Sequence, residues 1–292
     1  MKRIANIMLC AVMVFAAFAL TSCEKEGVYK PKNKLAQVYL KTDGGEKELY
    51  QIFKWDEKTN LLSEVYDVAG DYAMHFEYDG KRISKITTTD GDAAIYEYDG
   101  KLIKSISMEH PNGTTEKYEF THDGKQIVKT DYTREGNLLN SARSLTNFAF
   151  NFVLPELAQY QCETAFQKND VKGNYSYSET YTYEGKNVAT IDRTDAQNEE
   201  YHYTFTYNED YLNPYHLFMD DYTATGISKN MVKSYDYTNT AIATASVHSE
   251  SIFEGDGKYP THETRTNATT HHVGSLDNTY TQTHEFFYEY VR

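Results

Sequence analysis

Large apolar and polar side chains alternate along most of the chain, and a short turn phrase interrupts the alternation at regular intervals. Clear copies of the phrase stand at 76–83 and 96–103, and a looser copy stands at 118–127. Each copy joins an aromatic–polar–aromatic run to an Asp-Gly step, a lysine and an aliphatic residue. A period of two is typical of a half-buried strand, and Asp-Gly favours a two-residue hairpin turn in which both positions need positive φ. The chain is therefore predicted to be all-β.

The spacing of the turn glycines sets the topology. Glycines at 80, 91, 100, 113, 124 and 136 leave gaps of 9–13 residues. Each gap holds one strand of about 7–9 residues and its turn, with no room for a crossover helix. Consecutive strands are thus antiparallel neighbours in a single up-and-down meander. Similar strands resume after residue 175, and about 15 strands are expected in one β-meander domain over 36–292.

The strand pattern breaks at 138–170, the most apolar part of the chain outside its first 22 residues. Pro155 followed by Glu156 suits the first turn of a helix. The sequence predicts one short helix near 155–163, which would plug one end of a barrel or cover one sheet face. A split of the meander into two sub-sheets near 140–170 stays open, as does the choice between a barrel and a strongly curved sheet.

The turn phrase also carries a resemblance. Tyr-Asp-Gly-Lys at 78–81 and at 98–101 is similar to the YD repeats of the RHS family, which build long antiparallel sheets. The resemblance covers about a fifth of the chain clearly. The chain is too short to form the closed, toxin-encapsulating shells of large RHS proteins, so that function is not expected here.

The first residues have the pattern of a bacterial lipoprotein signal. Lys2 and Arg3 precede an apolar run over 4–20, and Cys23 follows the small residues at its end. We expect cleavage of residues 1–22, lipidation of Cys23 and a flexible, lipidated tether over 23–35, which is charged and contains Pro31. The acidic stretch 24–26 is similar to the surface-export signal of Bacteroidetes lipoproteins. The prediction is an outer-membrane lipoprotein exposed on the cell surface, although a periplasm-facing position stays open.

Net charge and cysteine content restrict the partners. The chain has 29 basic and 43 acidic residues and a net charge of −14. Loss of Lys2 and Arg3 with the signal takes the net charge to about −16. Nucleic acid and anionic lipid faces both require a basic surface, so neither is expected as a partner. After processing Cys162 is the remaining thiol, which excludes an intramolecular disulfide framework.

The aromatic content indicates strands with one face in contact with water or polar groups. There are 27 tyrosines against one tryptophan, and Tyr suits positions whose ring is covered while its hydroxyl meets a polar group. The lipobox, the hairpin phrases and a Tyr-Asn-x-x-Tyr-x-Asn-Pro-Tyr element at 207–215 resemble an uncharacterised Bacteroidetes-type lipoprotein family, a domain of unknown function with a porin-like fold. That resemblance implies a barrel shape and no particular activity.

A membrane-embedded barrel needs strands with a continuous apolar outward face. The strand at 72–78 supplies one, but its neighbour places Lys85 on one face and Arg82 on the other. A lysine or arginine at the bilayer midplane costs roughly 2–4 kcal/mol. Repeated over many strands, this cost disfavours insertion into a bilayer. A membrane-embedded pore is therefore the least favoured interpretation.

Several groups of residues are candidates for a metal, catalytic or ligand-binding site. A zinc site is geometrically possible from the histidine–glutamate or histidine pairs at 262–263, 271–272 and 284–285. Calcium binding is possible at the acidic turns at 90–92, 220–221 and 254–256. Solvated strand histidines and ordinary turn chemistry explain them better, so no metal or other cofactor is expected. No nucleophile elbow, phosphate loop or dinucleotide fingerprint is present. Trp55, Tyr78 and Tyr98 are candidate ligand-stacking aromatics.

These observations predict a surface-anchored, non-enzymatic lipoprotein that binds a glycan, peptide or partner protein, or has a structural role. The alternatives are an enzyme acting on extracellular polymers and, less favoured, a membrane-embedded barrel. An enzyme requires convergent carboxylates or a metal in a cleft. A membrane barrel requires an apolar outer belt, whereas a binding protein requires a charged exterior.

Overall fold

The computed structural model describes residues 27–68, 71–136, 174–216, 224–239, 245–273 and 276–291. The described residues form sixteen strands and a one-turn helix, α1 (Ala224–Ile227). In chain order the strands are β1 (Leu35–Thr42), β2 (Glu48–Trp55), β3 (Leu62–Asp67), β4 (Tyr72–Asp79), β5 (Arg82–Thr88), β6 (Ala93–Asp99), β7 (Leu102–Glu109), β8 (Thr115–Asp123), β9 (Gln126–Glu135), β10 (Tyr175–Glu184), β11 (Asn187–Asp195), β12 (Glu200–Leu212), β13 (Asn230–Asn239), β14 (Ala245–Glu254), β15 (His262–Val273) and β16 (Leu276–Tyr290).

The sheet closes on itself. Each strand pairs antiparallel with its neighbours in the chain, and β1 pairs with β16, with Val38 opposite Tyr288 and Thr42 opposite His284. The predicted meander is confirmed, and the barrel is the form it takes. β9 pairs directly with β10, so the sheet is not split at 140–170. The expected count of about 15 strands is one short, because the sequence prediction did not assign β1.

The segment before β1 lies against the barrel. Tyr29 is completely buried: its ring stacks on Trp55 with the centroids 5.6 Å apart, and its hydroxyl donates a hydrogen bond to the Pro214 carbonyl oxygen at 2.7 Å. The Ile83 amide donates to the carbonyl oxygen of Gly27. The flexible tether expected over 23–35 stays a prediction. Within its described part, one aromatic side chain packs against the barrel, although the charged composition of the segment suggested solvent.

Some predictions fall on parts of the chain that the structure does not describe. These are the signal at 1–22, Cys23, the remainder of the tether at 24–26, Cys162 and the short helix near 155–163. Among the described residues, no helix has the length and apolar character needed to cross a membrane.

Four hairpins share one turn, at Gly80, Gly100, Gly124 and Gly185, with φ between 58° and 63°. In the first, Asp79 pairs with Arg82, so the two-residue loop begins at the glycine. Positive φ at the first loop position alone fits a type II′ turn. The expectation that both residues of the Asp-Gly step have positive φ is therefore wrong here, because the aspartate still belongs to the strand.

Each of these four hairpins also contains a register shift shortly before the turn. The shift falls at the last aromatic or histidine of the phrase, for example between Glu77 and Tyr78 and between Glu97 and Tyr98. A bulge bends the strand and redirects a side chain. The phrase therefore specifies a turn together with the direction of the aromatic residue that precedes it.

The inner side of the barrel holds the core. Side chains at alternating strand positions are aliphatic or aromatic and are almost completely shielded from solvent. Sixteen-stranded porins, by contrast, enclose an aqueous channel. The largest fully buried side chains are Tyr29, Tyr235, Tyr237, Phe286, Leu35, Leu62, Met74, Ile83, Ile86 and Ile103.

The outer side has the opposite chemistry. Threonine, serine and charged residues alternate with the buried positions, and oppositely charged residues pair on and between neighbouring strands. The pairs include Lys41–Glu285, Lys54–Glu64, Lys104–Glu97, Lys117–Glu119 and Lys129–Asp131. His202 and His248 are hydrogen-bonded to Asp192 and Asp236 on the neighbouring strands. Exposed pairs of this kind add little stability, about 0–1 kcal/mol each, but they require contact with water.

Candidate functional site

The two ends of the barrel differ. Because strands run alternately up and down, the four glycine turns lie at one end, here the closed end, together with residues 27–34. The turns 89–92, 110–114 and 196–199 lie at the other end, here the polar end. Buried ionisable side chains collect on the inner wall near the polar end, namely Asp92, His110, Glu116, Arg134 and Asp195.

The predicted ligand-stacking aromatics all lie at the closed end. The Trp55 Nε1 donates to the carbonyl oxygen of Leu35, and the Tyr78 hydroxyl donates to that of Leu62, each at 2.7 Å. Tyr98 makes the same contact with Ile83 on the preceding strand. The three side chains are half-buried against the core, so they join adjacent strands. A ligand-stacking role for them stays a prediction.

A buried histidine bridges two carboxylates at the polar end. His110 Nδ1 lies 2.8 Å from an Asp92 oxygen, and Nε2 lies 2.8 Å from a Glu116 oxygen. The second Glu116 oxygen accepts a hydrogen bond from the Tyr132 hydroxyl at 2.7 Å. These four side chains come from the turn before β6, the turn after β7, β8 and β9. They tie three neighbouring hairpins together from the inside.

The bridge fixes the charge of His110. Burial by itself lowers the pKa of the imidazole, but the hydrogen bonds and negative charges of Asp92 and Glu116 outweigh it and raise the pKa to about 9. His110 is therefore a cation at neutral pH, with both ring nitrogens donating. A neutral imidazole has only one N–H and is able to donate to only one of the two carboxylates.

Three arginines of the described strands lie on the inner wall. Arg193 donates from Nε and Nη2 to one Glu179 oxygen at 2.8 and 2.5 Å. Arg265 makes the same pair of contacts with Glu263, at 2.9 and 2.6 Å. Both arginines therefore present the same edge of the guanidinium to a carboxylate, which is the arrangement expected for a charge-assisted pair.

Arg134 is the third of these arginines, and its environment differs. It is 6% exposed, and its Nε and Nη2 atoms are buried without a hydrogen-bond partner. Its guanidinium carbon lies 5.4 Å from the centroid of the Tyr175 ring. Buried donors without a partner are uncommon in proteins and cost about 1–3 kcal/mol or more when charged.

Tyrosines surround this part of the wall. Tyr132 stacks on Tyr177 with the centroids 4.5 Å apart, and the Arg193 guanidinium lies 4.1 Å from the Tyr177 centroid. Burial, with the Glu116 charge next in importance, raises the pKa of Tyr132 well above its usual value. Burial likewise raises the pKa of the Tyr177 hydroxyl. These phenols remain protonated and are able to act as hydrogen-bond donors at physiological pH.

Two inward-facing amides complete the unusual polar groups. Gln51 on β2 and Asn267 on β15 are 0% and 2% exposed, and neither the oxygen nor the nitrogen of either amide has a hydrogen-bond partner. Asn267 faces Gln282 and Ser249 on the adjacent strands. A neutral amide offers two donors and an acceptor, so such positions suit water or a hydroxyl-rich ligand.

The structure does not bring together the residues that were considered for a metal site. His262 points outward towards Glu254 and Glu285, 3.4 Å from each, whereas Glu263 points inward to Arg265. Across the ranges that the structure describes, no group of three His, Cys, Asp or Glu side chains is arranged to hold a metal ion. Asp92, considered for calcium in the sequence, instead contacts His110.

Sequence reasoning did not single out His110, Glu116 or Arg134. A signal exists for each, since all three fall in the inward phase of the alternation, where apolar residues are expected. A cation or carboxylate in that phase has to find a partner inside the barrel. The partners are set by the register of several strands, which the sequence alone does not provide.

Comparisons with known proteins show a likeness to solved structures. No protein-family model matches the chain, and no curated protein matches it. Among solved structures, the chain is similar to a crystal structure described as a porin-like protein from Bacteroides uniformis. The identity is 13%, the TM-score is 0.48, and the match covers 90% of this chain and 100% of the other. The resemblances to a lipoprotein family and to YD repeats stay predictions.

Proposed function

We propose that this chain is a lipid-anchored, non-enzymatic barrel that binds a polar ligand, a glycan or a peptide, through the inner wall of its polar end. The anchor is the lipid on Cys23, and the location is the outer membrane with the barrel on the cell surface. The observation that carries the proposal is the pair of buried, unpartnered donors of Arg134, and the unpartnered amides of Gln51 and Asn267 show that the inner wall has further polar groups of this kind. Neither nucleic acid nor an intrinsic cofactor is part of the proposal.

The outer surface supports a barrel that stands in water. Its strands carry lysine, glutamate, aspartate and histidine in ion pairs, and large exposed apolar side chains in the described residues are few: Ile95, Ile252, Tyr280 and Val291. A lysine facing lipid near the midplane costs roughly 2–4 kcal/mol. The lipid anchor, and not the strands, is therefore the proposed contact with the membrane.

The inner wall supports binding over catalysis. The buried carboxylates of the described residues are engaged: Glu179 and Glu263 hold arginines, Asp92 and Glu116 hold His110, and Asp195 accepts from the backbone amides of Gln197 and Glu199. His110 is a bridged cation and is poorly suited to act as a general base near neutral pH. The unpartnered groups are instead donors and amides, which recognise a ligand without reacting with it.

The first test is the behaviour of residues 24–292 without lipid and without detergent. We expect a monodisperse, strand-rich monomer by light scattering and circular dichroism. The same preparation is then screened by calorimetry against neutral glycosides, uronates and short peptides. Aggregation that only detergent reverses would contradict the water-exposed barrel, and a monomer that binds none of the probes would contradict the binding function.

The anchor has a separate test. In the full chain, Cys23→Ser removes the thioether that holds the lipid, so labelling by a fatty-acid analogue should be lost and the protein should leave the membrane fraction. Cys162→Ser is the matched control and should leave both properties unchanged. Proteolysis of intact cells then reports whether the anchored barrel faces the medium. Equal labelling of the wild type and of Cys23→Ser would overturn the anchor.

A further inference from the structure

We propose that Arg134 binds a neutral saccharide, whose two adjacent hydroxyl oxygens accept hydrogen bonds from its Nε and Nη2 atoms at the polar end of the barrel. This inference rests on the proposed binding function and deepens it by naming the ligand class and the residue that recognises it. The geometry of the inner wall supports it, because other arginines of the same barrel show how such a side chain is normally paired.

The barrel itself shows how an inward arginine is satisfied. Arg193 and Arg265 both use the Nε and Nη2 edge, and each meets a glutamate there. Arg134 presents the same edge with neither atom paired, although it is at least as buried as Arg193. What Arg134 lacks is therefore an acceptor for the two donors of that edge.

The nearest carboxylate in the strand register does not fill this role. Glu116 stands directly opposite Arg134 across β8 and β9. One Glu116 oxygen accepts from His110 and the other accepts from the Tyr132 hydroxyl, at 2.8 and 2.7 Å. Both oxygens are directed to other donors, and the edge of Arg134 is left for an acceptor from outside the barrel wall.

The charge balance favours a neutral acceptor. Asp92, Glu116 and Asp195 contribute three negative charges against the two positive charges of His110 and Arg134, so the group has no excess of positive charge. A ligand carboxylate adds a buried charge with no counter-charge, which is expensive in a shielded site. Hydroxyl oxygens satisfy the same two donors without that cost.

A saccharide matches the remaining features. The hydroxyls of a pyranose ring are neutral acceptors that stand beside an apolar ring face, whereas a peptide carbonyl has no such face next to it. The half-buried ring of Tyr175, 5.4 Å from the Arg134 guanidinium carbon, offers an aromatic face for the apolar side of the sugar ring. A few fixed polar groups beside aromatic side chains are typical of small-ligand sites.

Arg82 provides the matched control. It also has Nε and Nη2 atoms without a hydrogen-bond partner. Arg82, however, lies at the closed end, where it stacks on Tyr98 and donates from Nη1 to the Gly100 carbonyl oxygen at 2.6 Å. It is beside a turn, and the Asp92–His110–Glu116 group lies at the opposite end of the barrel. A saccharide site at the polar end should not depend on it.

The experiment measures calorimetric binding to residues 24–292 of the wild type, Arg134→Lys, Arg82→Lys and Tyr175→Leu. The probes are the methyl glycosides of glucose, galactose, mannose and xylose, glucuronic acid, and triglycine. Lysine keeps the positive charge at 134 but loses the two-donor edge. We expect at least a tenfold loss of glycoside affinity in Arg134→Lys, a smaller loss in Tyr175→Leu, and no change in Arg82→Lys. Thermal unfolding confirms that each variant is folded.

The outcomes separate this inference from the function it rests on. Tighter binding of glucuronic acid than of every neutral glycoside would contradict the claim that the ligand is neutral. Equal glycoside affinity in wild type and Arg134→Lys would contradict the role of Arg134. Binding of triglycine with no binding of glycosides would overturn the saccharide while the binding function stands. If none of the probes binds, both the saccharide inference and the proposed binding function are overturned. If Arg134→Lys does not fold, Tyr175→Leu decides the position of the site.

Discussion

The closed end and the polar end of the barrel are built on different principles. At the closed end one hairpin turn recurs, and aromatic side chains donate to carbonyl oxygens of the preceding strand, as Tyr183 and Tyr207 do to Ile127 and Val188 at 2.7 Å each. At the polar end the turns have no common sequence, and the side chains beside them are charged. A repeat can specify only what is the same in every hairpin. The repeated phrase therefore explains the scaffold, and the chemistry lies where the repeat is absent.

The largest effect is expected at the closed end. Tyr29→Ala removes a fully buried ring that stacks on Trp55 and donates to Pro214. We expect a loss of about 3–5 kcal/mol in the free energy of unfolding, the range for deleting a buried aromatic side chain. Urea unfolding of residues 24–292 measures it. Tyr29→Phe is the control and should cost only about 1 kcal/mol, the contribution of one hydrogen bond. A small effect of Tyr29→Ala would mean that residues 27–34 do not close the barrel.

The polar end should respond to pH. The pKa of His110 in the folded protein is about 9, above its usual value near 6.5. The protonated bridge is thus fully stabilising below about pH 6.5 and loses its contribution as the pH rises through about 9. The shift corresponds to about 3 kcal/mol. The measurement is the difference in unfolding free energy between wild type and His110→Gln at about pH 6, 7.5 and 9.5.

We expect this difference to shrink as the pH rises, because glutamine does not titrate and His110 loses its proton in that range. The Tyr29→Phe protein serves as a reference for pH effects that are unrelated to the bridge. A difference that stays constant with pH would show that His110 is not a cation between Asp92 and Glu116. The closed end would then be the part of the barrel that dominates its stability.

The sequence predicts the local part of this fold better than its closure. The alternation and the glycine at 80 predict a hairpin, because both act within a few residues. Closure depends on β1 meeting β16, where Val38 lies opposite Tyr288 across most of the chain. No local pattern marks that pairing. Tyr29 is missed for the same reason, since its partner Pro214 is 185 residues away.

The candidate site depends even more on long-range register. Asp92, His110 and Glu116 are individually unremarkable turn and strand residues, and only the packing of neighbouring hairpins brings them within 2.8 Å. The aromatics that the sequence favoured, Trp55, Tyr78 and Tyr98, belong to the repeated phrase and lie at the other end. A ligand-stacking role for these aromatics stays a prediction, and the site proposed here lies at the opposite end of the barrel.

The smallest effect concerns the shared turn. At Gly80, φ is 63°, and an added Cβ would meet no atom within 4 Å. Gly80→Ala should therefore cost only the backbone strain of an alanine at the first loop position of a type II′ turn, about 1–3 kcal/mol in unfolding free energy. Gly257→Ala is the matched control, because Gly257 has no positive φ and an added Cβ there has at most ordinary contacts at 3.9 Å, so that variant should be nearly neutral. If Gly80→Ala is as stable as Gly257→Ala in urea, the repeated glycine is not what sets the turn, and the bulge at Tyr78 must fix the hairpin instead.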